Sequence, residues 1–201
     1  MKIANNLKKR VILLLIKDFS KNHTVTSIAK ELEITRVGIW KILKKLEEQK
    51  LINLKSVGIG KTSTQIINLD WDQVLEKTIV LYLVEEAVKQ KRWMTNFEGL
   101  QNHVEFILLY GSILYLPEQA DDIDLICVVK SKKKFTLIEG ILNNIQKTQV
   151  KKIHSINFTE EEFRKELETK NKAFIDAIKK GIVLYGQENF IKLIKKVKTN
   201  E

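Results

Sequence analysis

The sequence predicts an α+β chain in two parts: three helices closed by a β-hairpin, then a connector helix leading into short strands flanked by helices. Three observations carry this reading. Apolar residues recur at helical spacing through most of the first fifty positions, and two strand-like runs follow around a glycine-bearing tip. Further on, an apolar run ending in Gly111-Ser112 is joined through nine residues to Asp122-Ile123-Asp124-Leu125 and a second apolar run. Charge is divided unevenly as well: residues 1–70 hold 14 Lys and Arg against 6 Asp and Glu, a net +8 of the formal +10. A basic first third points to a polyanion partner, most simply nucleic acid.

Taken in order, residues 5 to 19 place Leu7, Val11, Leu14 and Leu15 on one helical face beside Lys8, Lys9 and Arg10. The stretch from Thr24 to Leu32 forms a second helix, with Thr24 or Thr26 as cap and Val25, Ile28, Ala29 and Leu32 inward. The small Ala29 admits a crossing helix. After Glu33-Ile34, Thr35 caps a third helix from Arg36 to Lys50, with Ile39, Leu43 and Leu46 inward and Arg36, Val37, Trp40, Lys41 and Lys44 outward. Leu51 to Ser56 and Thr64 to Leu69 read as strands, and Val57 to Ser63, with Lys61, as the hairpin tip.

This order resembles the winged helix-turn-helix of the MarR and ArsR regulators over residues 5–70, with Glu33 where many relatives have glycine in the turn. The resemblance implies a third helix in the major groove and a wing on the adjacent backbone, so Arg36, Val37, Trp40, Lys41, Lys44 and Lys61 are the expected DNA contacts. Surface lysines on a helix are ordinarily only solvated. The +8 balance favours the DNA reading, because phosphate attraction supplies much of DNA affinity whatever the sequence.

Residues 72–91 have helical character, yet Trp71, Val74, Leu75, Ile79, Tyr82 and Leu83 are too many apolar side chains for one narrow stripe. Burial on two sides, against the chain itself and against a second copy, explains the surplus and predicts a homodimer. A buried strand over Ile79–Val84 is the competing reading.

The stretch FILLYGSILYLPEQADDIDLICVV, Phe106 to Val129, reads as strand, turn, short helix, strand. Glycine at the strand end lets backbone approach a ligand, and Ser112 adds a hydroxyl where helix-initial N–H groups would meet an anion. Side chains alternate along a strand, so Asp122 and Asp124 share a face while Ile123 and Leu125 point into the core. Two carboxylates on one face can hold a hard cation such as Mg²⁺ alongside substrate phosphates.

Gly111, Ser112, Asp122 and Asp124 at this spacing resemble the nucleotidyltransferase superfamily of DNA polymerase beta, and within it the minimal nucleotidyltransferases. The resemblance implies a small mixed sheet flanked by helices, a nucleoside triphosphate seated at Gly111-Ser112, and Mg²⁺ or Mn²⁺ held by the catalytic Asp122 and Asp124. It also implies nucleotidyl transfer to a hydroxyl on a protein or nucleic-acid acceptor. Two departures stand out: Ile113, Leu114 and Tyr115 follow Ser112 where many relatives carry a basic residue, and the strand Val150–Phe158 lacks the family's third carboxylate. His154 and Asn157 are the residues at hand there.

Lys130 to Lys134 form a basic turn, either solvated or touching triphosphate or nucleic acid, and a helix over 135–146 follows. Thr159 and Glu162 have capping-box spacing for a helix running towards Lys180. Gly181 to Gly186 encloses a short strand, and a last helix over 188–198 anchors through Phe190, Ile194 and Val197. The expected organisation is therefore 1–70, a connector region 71–103, and 104–201. A single cysteine, Cys127, excludes a disulfide within the chain, and three scattered histidines do not supply a Cys/His zinc cluster. No apolar run is long enough for a bilayer and the N-terminus lacks a signal pattern, so the expected location is cytoplasmic, with no membrane partner. Three functional readings stay open: a DNA-binding nucleotidyltransferase, a transcription regulator with an inactive sensing or dimerisation module, and an antitoxin-like protein that adenylylates a partner.

Overall fold

The apolar spacing of the first fifty residues becomes three helices: α1 (Lys2–Lys17), α2 (Val25–Glu31) and α3 (Arg36–Glu48). The computed structural model describes residues 2–18, 21–58, 64–169 and 171–199. Every residue from Val11 to Ile16 is buried, so the C-terminal half of α1 runs through the core instead of lying on it. Thr24 caps α2 in a capping box closed by Ser27, which settles the choice between Thr24 and Thr26. Between α2 and α3, Glu33 takes the left-handed conformation at φ 56°, the strain expected where a glycine is replaced. Thr35 then caps α3, its hydroxyl accepting from the Gly38 N–H at 3.1 Å.

Three strands complete this part: β1 (His23–Thr24), β2 (Ile52–Val57) and β3 (Thr64–Leu69), antiparallel in the order β1-β3-β2. The two-residue β1 was not expected; it pairs with Ile66 and Ile67 of β3. Buried Asp18 and His23 face each other at 3.7 Å and tie the end of α1 to β1.

Two compact units divide the chain, Met1–Tyr82 and Leu83–Glu201, with the boundary inside α4 (Gln73–Lys89). The segment 79–84 is helix, not strand, because Leu75, Ile79, Leu83 and Ala87 recur every fourth residue and are each fully buried. Val74, Leu81, Val84 and Val88 stay exposed. The expected connector is two helices, since α4 stops at Gln90 and α5 (Lys91–Phe97) begins directly after.

The second unit is built on β4 (Phe106–Tyr110), β5 (Asp122–Val129), β6 (Lys152–Thr159) and β7 (Ile182–Tyr185) in the order β6-β5-β4-β7. Only the β5–β6 pair is parallel, and α6 (Phe135–Gln146) supplies the crossover that parallel neighbours need. One sheet face, with Ile107, Leu109, Leu125 and Cys127, packs on Trp93, Phe97, Leu100, Ile138 and Leu142. Burial pushes the Cys127 thiol up to about 11, which leaves it unreactive. Against the other face stand α7 (Glu160–Glu168), α8 (Lys172–Lys180) and α9 (Gln187–Thr199). Phe106 meets Phe163 and Phe190 edge-on at 5.1 and 5.3 Å, and Phe163 meets Phe174 at 5.0 Å. The helix expected from Thr159 to Lys180 is thus broken in two. Its first piece starts on the Thr159–Glu162 capping box, and its second on Asn171, whose side chain accepts from the Ala173 and Phe174 N–H groups. Phe190, Ile194 and Val197 are the buried anchors of α9. Among the described residues no helix is long and apolar enough to cross a membrane.

Candidate metal centre and nucleic-acid interface

Strand register gathers the polar residues of the second unit at one end of the sheet. Tyr110 pairs with Asp124 across the antiparallel β4–β5 ladder, and Asp124 pairs with His154, and Asp122 with Lys152, across the parallel β5–β6 ladder. Directly opposite residues share a face, so Tyr110, Asp122, Asp124 and His154 all project together, while Leu109, Ile123 and Leu125 hold the strands down from the core side. His154 Nδ1 lies 3.1 Å from Asp122 Oδ2 and 3.9 Å from Asp124 Oδ1. One donor atom from each of the three side chains falls within 4.8 Å of the others.

Gly111 follows β4 with φ +84°, and a Cβ built there would fall 2.3 Å from Asp124 Oδ2. Only glycine leaves that carboxylate open on this side. Ser112 is exposed beside it. The short helix expected after Ser112 is a single 3-10 turn, Ser112–Leu114, so the aligned N–H groups of a helix start are not part of the seat. What remains there is the open approach over Gly111 and the Ser112 hydroxyl.

Electrostatics mark the same end. The Asp124 carboxyl sits above the usual carboxylate range because burial and the Asp122 charge disfavour ionisation, with His154 opposing them. Tyr110 is pushed up by burial and then by Asp124 and Asp122. Asp122 and Asp124 are held close by strand geometry, with His154 Nδ1 3.1 and 3.9 Å from their oxygens, and a divalent cation at this place would offset both carboxylate charges. Two carboxylates and one imidazole make a donor set that could hold a divalent ion.

Of the two residues considered for the missing acid, the register selects His154. Asn157 pairs with Cys127, and its side-chain oxygen accepts from the Ser155 hydroxyl at 3.0 Å. Tyr110 was missed from sequence: it ends an apolar run, and only its pairing with Asp124 distinguishes it. The basic turn belongs to the far end of β5. There Lys132 pairs with Glu162 at 2.6 Å, the Glu162 carboxyl is drawn down to about 2 by that ammonium and the Thr159 N–H, and Lys130 lies 3.7 Å from Glu105. An open cleft at that end is lined by lysines and glutamates together.

In the first unit, α3 buries Ile39, Ile42, Leu43 and Leu46 and turns Arg36, Val37, Lys41 and Lys44 outward, with Trp40 half-buried beside them. Lys44 Nζ stands 5.0 Å over the Trp40 ring and 2.8 Å from Glu47, so part of its charge is already answered. Lys61 lies outside the described residues.

No family model matches the chain, and no curated protein matches it either. Two solved structures are similar over part of its length. A cysteine-to-serine mutant of ZitR from Lactococcus lactis has 17% identity, covers 71% of this chain and 73% of that one, and gives a TM-score of 0.32. The apo form of a ZitR double mutant from the same organism has 19% identity, with 74% and 87% covered and a TM-score of 0.31. Likeness at this level fixes neither fold nor function.

Proposed function

We propose that the chain is a DNA-binding protein whose second unit binds a nucleoside triphosphate through a divalent ion at the Gly111, Ser112, Asp122 and Asp124 end of its sheet. The observation that supports it is the convergence of Asp122, Asp124 and His154 beside a glycine whose missing side chain keeps Asp124 open. Asp122 and Asp124 would hold the ion, with His154 as third donor. Gly111 would let phosphate oxygens approach the backbone and Ser112 would donate a hydrogen bond to one of them. A divalent ion bound there supplies neutralisation of phosphate charge.

For nucleotidyl transfer the chain also needs a group to take the proton of the attacking hydroxyl. His154 is the available base, and while its Nδ1 binds the ion that atom cannot accept the proton. Transfer is therefore expected to be slow with the purified protein alone. This is also what favours the second reading, a regulator that uses the site for sensing. Incubation with labelled triphosphates and Mn²⁺, offering the protein itself, DNA ends, tRNA and partner proteins as acceptors, tests it. Rapid transfer that Asp124→Asn abolishes and His154→Ala leaves intact would contradict the account of the missing acid. Labelling of a protein acceptor alone would support the antitoxin-like reading.

For the first unit the proposal is a winged-helix contact with duplex DNA through α3, resting on the outward row Arg36, Val37, Trp40, Lys41 and Lys44 and on the +8 charge balance. The full chain is expected to bind duplex DNA with an affinity that falls steeply as salt rises. Arg36→Ala with Lys41→Ala is expected to weaken binding about tenfold or more and to flatten the salt slope by about two. Gel-shift titrations that leave affinity and slope unchanged in the double mutant would remove both residues from the interface.

A further inference from the structure

We propose that the Asp122–Asp124–His154 centre selects a divalent transition ion over Mg²⁺, with affinity lowest for Mg²⁺, higher for Mn²⁺ and highest for Co²⁺ and Zn²⁺. This rests on the reading of that end of the sheet as a metal site and goes beyond it by naming the ion class. Two ligands bound at about 2.1 Å to one ion lie roughly 3 to 4 Å apart, depending on the angle between them. The two Nδ1 to carboxylate separations, 3.1 and 3.9 Å, have those values, and donor atoms of all three side chains lie within 4.8 Å of one another. His154 needs no strand movement to serve, because its backbone is fixed opposite Asp124 by the β5–β6 ladder. An imidazole nitrogen is a poor donor for Mg²⁺, which holds six oxygens in a near-octahedral shell. The same nitrogen strengthens binding of Co²⁺ and Zn²⁺ far more than of Mn²⁺.

Position and exposure are consistent with such a centre. The His154 side chain is 47% exposed, Asp122 33% and Asp124 24%, so three protein donors line one side of the site and its outer positions face solvent. Over Asp124 the absence of a side chain at Gly111 keeps Oδ2 accessible. A third carboxylate in place of His154 would make the set all-oxygen, and the preference would then move back towards Mg²⁺.

The test is calorimetric titration of the chelator-treated full chain with Mg²⁺, Mn²⁺ and Zn²⁺ separately, joined to the visible absorption of added Co²⁺. Zn²⁺ and Mn²⁺ are expected to bind about tenfold or more tighter than Mg²⁺, and Co²⁺ to give an absorption band that His154→Ala removes. His154→Asp is expected to narrow the Mn²⁺ over Mg²⁺ ratio. Asp124→Asn should remove the shared site, which separates it from ion binding elsewhere on the surface. Equal affinity for Mg²⁺ and Mn²⁺, unchanged in His154→Ala and lost in Asp124→Asn, would overturn the selectivity and leave the metal site standing. Failure of every ion to bind in an Asp124-dependent way would overturn both.

Discussion

Replacing Asp122 and Asp124 together by asparagine is expected to abolish the rise in melting temperature that a nucleoside triphosphate and Mn²⁺ give the wild-type protein. A ligand that binds only the folded state stabilises it by mass action, about 2.7 kcal/mol when present at a hundred times its dissociation constant. The variant keeps the size of both side chains and removes both charges, so the whole of that increment should vanish. The unliganded variant should melt no lower than wild type. Asp124 has a folded-state pKa raised by burial and by Asp122, so its ionised form opposes folding above its unfolded pKa, and removing the charges relieves that cost. A thermal melt series with and without ligand reads both effects. A ligand-induced rise that persists in the double variant would place triphosphate binding somewhere else.

The largest effect on stability is expected from Gly186→Ala. Gly186 joins β7 to α9 with φ +76°, and its carbonyl accepts the first turn of α9 from the Phe190 N–H at 3.0 Å. A Cβ there would lie 1.9 Å from the Glu105 carbonyl oxygen and 2.7 Å from the Phe106 Cα, both backbone atoms at the edge of β4. No rotamer change relieves a clash with backbone. The left-handed strain and the overlap together should cost about 2–5 kcal/mol. Gly140→Ala is the matching control: that glycine sits in α6 with nothing within 4 Å of an added Cβ, and the change should stabilise by about 0.5–1 kcal/mol. Denaturant titrations of the two variants should therefore move in opposite directions. A Gly186→Ala midpoint equal to wild type would mean that the β7–α9 joint is not built as described.

Much of the fold was legible because its signals are local. Thr35 caps α3, Thr159 and Glu162 close a capping box, and the core spacing of Ile39, Leu43 and Leu46 holds through α3. Asp122 and Asp124 share a face for no deeper reason than the two-residue period of a strand. Two features that sequence reasoning missed depend on distant neighbours. Whether His154 or Asn157 stands by Asp124 depends on the register between β5 and β6, set across a crossover by packing of α6. Tyr110 acquires its place from the β4–β5 pairing in the same way. The short helix after Ser112 is only one 3-10 turn long, ending ahead of Pro117, which has no N–H to continue it. The break between α7 and α8 was hidden by continuous helical periodicity, although the Asn171 cap was present in the sequence to be read.

Equilibrium binding of a non-hydrolysable nucleoside triphosphate to the full chain reads out whether the Asp122 and Asp124 end of the sheet holds a triphosphate through a metal ion. Measured with Mn²⁺, with chelator, and with Asp124→Asn, it should give one saturable site per chain that needs the ion and is lost in the variant. Absence of binding at millimolar ligand, or binding indifferent to both chelator and Asp124→Asn, would contradict a metal-held triphosphate there.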